Sequence, residues 1–172
     1  MKKASAAKRI AYLGMLTALA MIMSYVESLI PIGLGIPGIK IGLANLVVLT
    51  GLYYLKPQEV LLVSVTRILL IGLLFGNGVS VIYSLAGGLV SFIVMLLIKK
   101  TGAFSVIGAS VAGAVSHNIA QLVCAALIVR TASLVWYAPA LLAAGVAAGV
   151  LIGILSSRML PIIRKVTAQE GH

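Results

Sequence analysis

The chain has 172 residues, of which 62% are hydrophobic and only 9% are charged, and its formal net charge is +10. A soluble globular domain has about 45–50% apolar and about 25% charged residues, so these proportions exclude a soluble fold and indicate an integral membrane protein. The basic residues lie at the ends of apolar segments, where they specify topology, and therefore do not indicate a nucleic-acid partner.

Six apolar segments predict an all-α fold, an integral membrane bundle of six transmembrane helices. A membrane helix needs about 20 apolar residues. In chain order the segments are 10–30, 43–55, 57–75, 79–98, 104–129 and 133–160. The second is about 20 Å long at about 1.5 Å per residue, too short to cross a core of about 30 Å by itself. The sixth is expected to end at Pro161.

The basic residues also predict the orientation of the bundle. With the N-terminus in the cytoplasm, only Lys40 and Arg130 lie outside. The predicted organisation is a basic cytoplasmic N-terminus (1–9), a membrane domain (10–160) and a cytoplasmic tail (161–172). The cytoplasmic side then receives ten basic residues, as the positive-inside rule requires: Lys2, Lys3, Lys8, Arg9, Lys56, Lys99, Lys100, Arg158, Arg164 and Lys165.

Glycines mark two further features. The stretch 31–45, "PIGLGIPGIKIGLAN", contains two prolines and four glycines yet stays hydrophobic. Backbone at membrane depth needs protein or water partners, so this stretch is either a lid-like loop on the outer side or an ordinary interfacial linker. In the sixth segment, Gly145, Gly149 and Gly153 share one helix face, where we expect contacts within the chain rather than with a second copy.

In this orientation, polar and aromatic residues of five helices converge on the outer half of the bundle, and the inner half has almost none. Polar residues within a membrane usually face the bundle interior or a wet cavity, so the asymmetry predicts a substrate-binding site in the outer half. The candidate site residues are Glu27, Lys40, Asn45, Arg67, Asn77, His117, Asn118, Gln121, Trp136 and Tyr137.

Arg67, near the centre of the third segment, has two interpretations. Its guanidinium group offers two parallel donors to a carboxylate or phosphate of a ligand. Alternatively, it is a structural partner of Glu27 or of backbone carbonyls. These interpretations stay open at the level of the sequence.

The remaining candidates have structural alternatives as well. His117 and Gln121 share a helix face because they are four residues apart, and together with Asn118 they either bind ligand or form hydrogen bonds between helices. Trp136 and Tyr137 either stack on a ligand or belong to the aromatic belt at the membrane surface.

Several chemistries are excluded by residues that the chain lacks. It has no aspartate, its acids are Glu27, Glu59 and Glu170, and its histidines are His117 and His172. These residues cannot assemble a metal cluster or a Ser/His/Asp triad, and no Walker A sequence is present. We therefore predict no catalytic site, no metal site and no cofactor, and we do not expect the chain to be an enzyme.

Two stretches carry a family resemblance. The first is "RIAYLGMLTALAMIMSYVE", in which Gly14 and Ala18 are four residues apart, and the second is "PGIKIGLANL" at 37–46. Over residues 10–164 the chain resembles the substrate-binding S components of energy-coupling factor (ECF) transporters. Within that group it is most similar to the Gx transporter family, whose members often carry the name heptaprenyl diphosphate synthase component I.

The resemblance implies a function, a set of partners and a location. S components hold a vitamin-like substrate in their outer half beneath the first outer loop, here around 37–41. A small-residue face of the first helix, here Gly14 and Ala18, docks on a transmembrane coupling protein, and separate ABC-type ATPases supply the energy. The implied function is uptake of a small organic nutrient by a multi-pass protein of a prokaryotic plasma membrane.

Two alternatives remain. The family name implies a noncatalytic membrane accessory subunit for isoprenoid or quinone metabolism, because chain-elongating prenyltransferases hold magnesium–diphosphate with aspartate-rich motifs that this chain lacks. The other alternative is a structural membrane partner with a closed, empty bundle. The substrate stays open among flavins, thiamine precursors, quinone precursors and small peptides.

Overall fold

The computed structural model describes residues 6–30 and 41–169, and these form a helical bundle without strands. Five helices are long and apolar enough to cross a membrane, and the second has only 10 residues. This confirms the predicted membrane bundle of six helices with a short second helix. The helices are α1 (Ala6–Leu29), α2 (Leu43–Leu52), α3 (Pro57–Phe75), α4 (Gly78–Thr101), α5 (Val106–Val129) and α6 (Ala138–Gln169).

Consecutive helices from α3 to α6 are antiparallel, as their closest contacts show. Gly72 of α3 lies against Val81 near the start of α4, and Gly149 of α6 lies against Val111 of α5. The first and third helices are parallel, because an ion pair between Arg9 and Glu59 joins their N-terminal ends. We call the end of the bundle that holds this ion pair the basic end.

The short helix α2 is the buried centre of the bundle, and its two ends are held by charged side chains. Glu27 accepts a hydrogen bond from the Gly42 backbone N–H just before α2, and Lys99 donates one to the Leu52 carbonyl at its last residue. A negative charge at the N-terminus of a helix and a positive charge at its C-terminus both interact favourably with the helix dipole. Six of the ten residues of α2 are buried: Ala44, Val48, Leu49, Thr50, Gly51 and Leu52.

The predicted sixth segment, 133–160, starts where the apolar span Ser133–Lys165 of the structure starts, but its predicted end is too early. A short 3₁₀ helix, Ala132–Tyr137, comes first, and α6 itself begins at Ala138. The helix then continues through Pro161 to Gln169. Proline removes one backbone donor, but neighbouring groups in a membrane bundle can compensate for such a loss. The carbonyl that loses its donor is that of Ser157, four residues before the proline. The Tyr54 hydroxyl donates a hydrogen bond to a different carbonyl, that of Leu160, and thereby ties the turn after α2 to α6.

The glycine stripe of α6 packs against α5 of the same chain, as expected. A Cβ atom at Gly149 would lie 2.6 Å from the Val111 Cα, and one at Gly153 would lie 2.7 Å from the Ile107 Cα. Both neighbours are backbone atoms, so only glycine permits this separation between the two helices.

Candidate functional site

A cavity of about 690 Å³ lies between all six helices in the half of the bundle away from the basic end. It is lined by the C-terminal parts of α1 and α3, the N-terminal parts of α2 and α4, and facing segments of α5 and α6. Its volume falls within the range of about 300–1,000 Å³ that is typical of small-molecule sites.

The fold brings seven of the ten candidate residues to this cavity. Trp136 and Tyr137 are not among the described residues that line it, and Trp136 exposes 87% of its surface from the 3₁₀ helix. That exposure matches the aromatic-belt interpretation. Lys40 lies outside the described residues. The seven that line the cavity are Glu27, Asn45, Arg67, Asn77, His117, Asn118 and Gln121.

Arg67 projects from α3 toward α1, where it contacts a residue that the sequence reasoning missed. Its Nη1 donates a hydrogen bond of 2.9 Å to the Ser24 hydroxyl. Its Nε is buried without a hydrogen-bond partner among the described residues, and it forms no ion pair with Glu27 there. In the described structure the two residues therefore share no direct hydrogen bond or ion pair, although their charges interact at longer range. Ser24 precedes Glu27 by three residues on one helix face, which is the signal that would have identified it.

Glu27 contacts the backbone instead of the arginine. Its Oε1 accepts from the N–H of Gly42, the residue that precedes α2 and has a φ of +80°. This left-handed conformation favours glycine. The second carboxylate oxygen makes no hydrogen bond with a described residue, so Glu27 can still accept one from a ligand.

Asn77 and Asn118 also have hydrogen-bond partners within the fold. Asn77 caps α4, because its side-chain oxygen accepts a hydrogen bond of 2.9 Å from the Ser80 backbone N–H. Asn118 donates one of 2.7 Å to the Leu141 carbonyl and thereby joins α5 to α6. The interhelical interpretation is therefore correct for Asn118.

Asn45, His117 and Gln121 are the remaining predicted residues in the lining. The side chains of Asn45 and Gln121 make no hydrogen bond with the described part of the chain, although both are half-buried. His117 and Gln121 pack against Gly87 of α4, where a Cβ atom would lie 2.8 Å from an atom of each side chain. The missing side chain at Gly87 lets α4 approach these two residues closely.

The family described as heptaprenyl diphosphate synthase component I matches residues 16–159 of the chain. The chain belongs to this family. No curated protein and no solved structure matched. The matched region of this component I family member contains every residue of the cavity lining described above.

An aromatic pair in this component I family member also lines the cavity and was missed in the sequence. The rings of Tyr25 and Phe75 lie with centroids 5.5 Å apart at an angle of 39°. They belong to α1 and to the last residue of α3, so no sequence spacing relates them. The pair gives the cavity an apolar surface beside the charged groups.

The small-residue face of α1 lies away from the cavity. Gly14 and Ala18 are exposed in the described structure, and a Cβ atom at Gly14 would meet no atom within 4 Å. Gly14 precedes Glu27 by 13 residues, which corresponds to about 20 Å along the helix. This exposed face is thus spatially separate from the polar lining.

Proposed function

We propose that this protein is the substrate-binding membrane subunit of an ECF-type transporter that takes up a small organic nutrient. The observation that carries the proposal is the convergence of polar side chains from five helices on one cavity of about 690 Å³. Unsatisfied polar groups are costly inside a membrane, and a purely structural bundle gains nothing from such a cavity. The closed, empty bundle is therefore disfavoured.

In the proposed mechanism, the cavity accepts substrate from outside the cell and the segment at 37–41 closes over it. Most of that segment lies outside the described residues. The exposed face with Gly14 and Ala18 then docks on a transmembrane coupling protein, because small residues let two membrane helices approach closely. Separate ABC-type ATPases supply the energy, since the chain has no Walker A sequence.

The family name itself favours a second candidate function. A component of heptaprenyl diphosphate synthase would be a membrane accessory subunit in isoprenoid or quinone metabolism. The chain has no aspartate, so in this case a separate subunit must bind the magnesium–diphosphate. The protein itself is noncatalytic under both proposals.

Affinity purification of the tagged protein from its native membranes separates the two functions. We expect a multi-pass coupling protein and ATPases to co-purify with the wild type and to be lost with Gly14→Leu and Ala18→Leu. Ala143→Leu and Ala147→Leu are matched controls, because these two alanines are also four residues apart and exposed on α6. The controls should retain the partners.

One outcome would contradict the transport proposal, and another would contradict only the proposed docking surface. Co-purification of a soluble prenyl synthase without ATPases would support the accessory-subunit function instead. Equal retention of the ATPases by the α1 and α6 variants would show that the face with Gly14 and Ala18 is not the docking surface.

A further inference from the structure

We propose that the cavity binds a small zwitterion of the amino-acid or short-peptide class, with its anionic group on Arg67 and its ammonium group on Glu27. This inference rests on the proposed function as a substrate-binding subunit. It names the substrate class of the same cavity.

The first step is the juxtaposition of two opposite charges that are not paired with each other. Arg67 and Glu27 both line the cavity, and the described residues contain no ion pair between them. The guanidinium is hydrogen-bonded to Ser24. Ser24 and Glu27 are neighbours one turn apart on α1, so the guanidinium contacts a residue next to Glu27, and the two charges interact electrostatically.

The second step is that each charged group has binding capacity left. The Arg67 Nε is buried without a hydrogen-bond partner in the described structure. One oxygen of Glu27 is engaged by the Gly42 N–H, and the other has no hydrogen-bond partner among the described residues. Leaving a buried donor or a charge unsatisfied is costly, so a ligand that supplies both partners is favoured.

The third step concerns the net charge of the cavity. His117 apart, Arg67 and Glu27 are the ionisable groups of opposite sign in its described lining, and their formal charges cancel. A ligand with only an anion would satisfy Arg67 but place a second negative charge near Glu27. A ligand with only a cation would satisfy Glu27 but place a second positive charge near Arg67. A zwitterion satisfies both and keeps the site neutral in surroundings of low dielectric constant.

The geometry of the donors and acceptors indicates the chemical groups. A guanidinium binds a planar carboxylate through two parallel N–H groups, and a carboxylate can only accept hydrogen bonds at neutral pH, as it would from an ammonium group. The Tyr25–Phe75 pair beside them offers an apolar surface to a side chain. The α-carboxylate, α-ammonium and side chain of an amino acid fit these three partners.

The test uses the purified full-length protein and a defined set of probes. The set contains the twenty proteinogenic L-amino acids and a panel of tripeptides, each with an N-acetylated form that lacks the cation and a C-amidated form that lacks the anion. Thermal shift measures binding, and mass spectrometry identifies small molecules retained after purification. We expect one or more zwitterions to bind, with both blocked forms weaker by about tenfold or more.

Two variants assign the groups to the residues. Glu27→Gln can still accept the Gly42 hydrogen bond, so it should fold, and it should bind the N-acetylated form as well as the free amine. Arg67→Gln should likewise bind the amidated form as well as the acid. Arg67→Lys keeps the charge but loses the planar fork, and it should bind the zwitterion about tenfold more weakly.

The outcomes distinguish a failure of the zwitterion inference from a failure of the proposed transport function. Retention of a ligand with only an anionic group would overturn the zwitterion inference while leaving the transport function intact. Unchanged discrimination in Glu27→Gln would also overturn it. If the wild type retains no small molecule and binds no probe, both the inference and the proposed function fail.

Discussion

Replacing Gly149 by alanine tests the contact that holds α6 against α5. The new Cβ atom would lie 2.6 Å from the Val111 Cα and 3.1 Å from its backbone nitrogen. The optimal separation of two carbon atoms is about 3.5–4.0 Å, so the first contact is too short by about 1 Å. Because both neighbours are backbone atoms, the two helices must move apart.

The magnitude follows from two opposing terms. Alanine is favoured over glycine in a helix interior by about 0.8–1.0 kcal/mol, and overpacking typically costs about 1–3 kcal/mol. A clash with backbone atoms should cost an amount near the upper end of the overpacking range. After the gain in helix propensity is subtracted, we expect the Gly149→Ala variant to lose about 1–2 kcal/mol of stability. Gly14→Ala is the matched control. Its Cβ meets no atom within 4 Å, so it should gain up to about 1 kcal/mol.

The assay is reversible unfolding in mixed micelles for both variants, with the oligomeric state measured by light scattering. The stability of Gly149→Ala should fall below that of the wild type, and that of Gly14→Ala should not. If Gly149→Ala is as stable as Gly14→Ala, the close α5–α6 contact is wrong. A loss of dimers at unchanged stability would show that the stripe serves association between copies.

Two further predictions concern the cavity and the orientation of the bundle. Gly87→Ala should fold, because its Cβ meets side-chain atoms of His117 and Gln121 rather than backbone. It should weaken binding of a retained ligand several-fold, because both side chains must shift within the cavity lining. Gly78→Ala, on the same helix with open space around it, should bind normally, and equal affinities of the two variants would contradict the packing argument. In a chain without Cys124, a cysteine at Arg130 should react with an impermeant maleimide in intact cells, whereas labelling there only after permeabilisation would reverse the predicted orientation.

Much of the fold was predictable because apolar length and helix-breaking residues are local properties. The third segment was predicted at 57–75, and α3 has the same bounds, since Pro57 suits a first helical turn and Gly76 follows the last residue. Pro161 was misread as a terminator. Membrane helices tolerate proline where tertiary surroundings can re-satisfy the freed backbone carbonyl, and those surroundings cannot be read from the local sequence.

The sequence by itself determined which residues are polar and on which apolar segment each lies, because hydrophobic length and the helical rise are properties of single segments. On those grounds it indicated that Arg67, Glu27 and His117 converge on one half of the bundle, and all three line the cavity. Only the tertiary structure decided their partners. Ser24, rather than Glu27, accepts from Arg67, and the Gly42 N–H donates to Glu27. The choice among competing partners depends on the rotation and separation of packed helices. These are set by contacts such as Gly87 against His117, which join residues far apart in the chain.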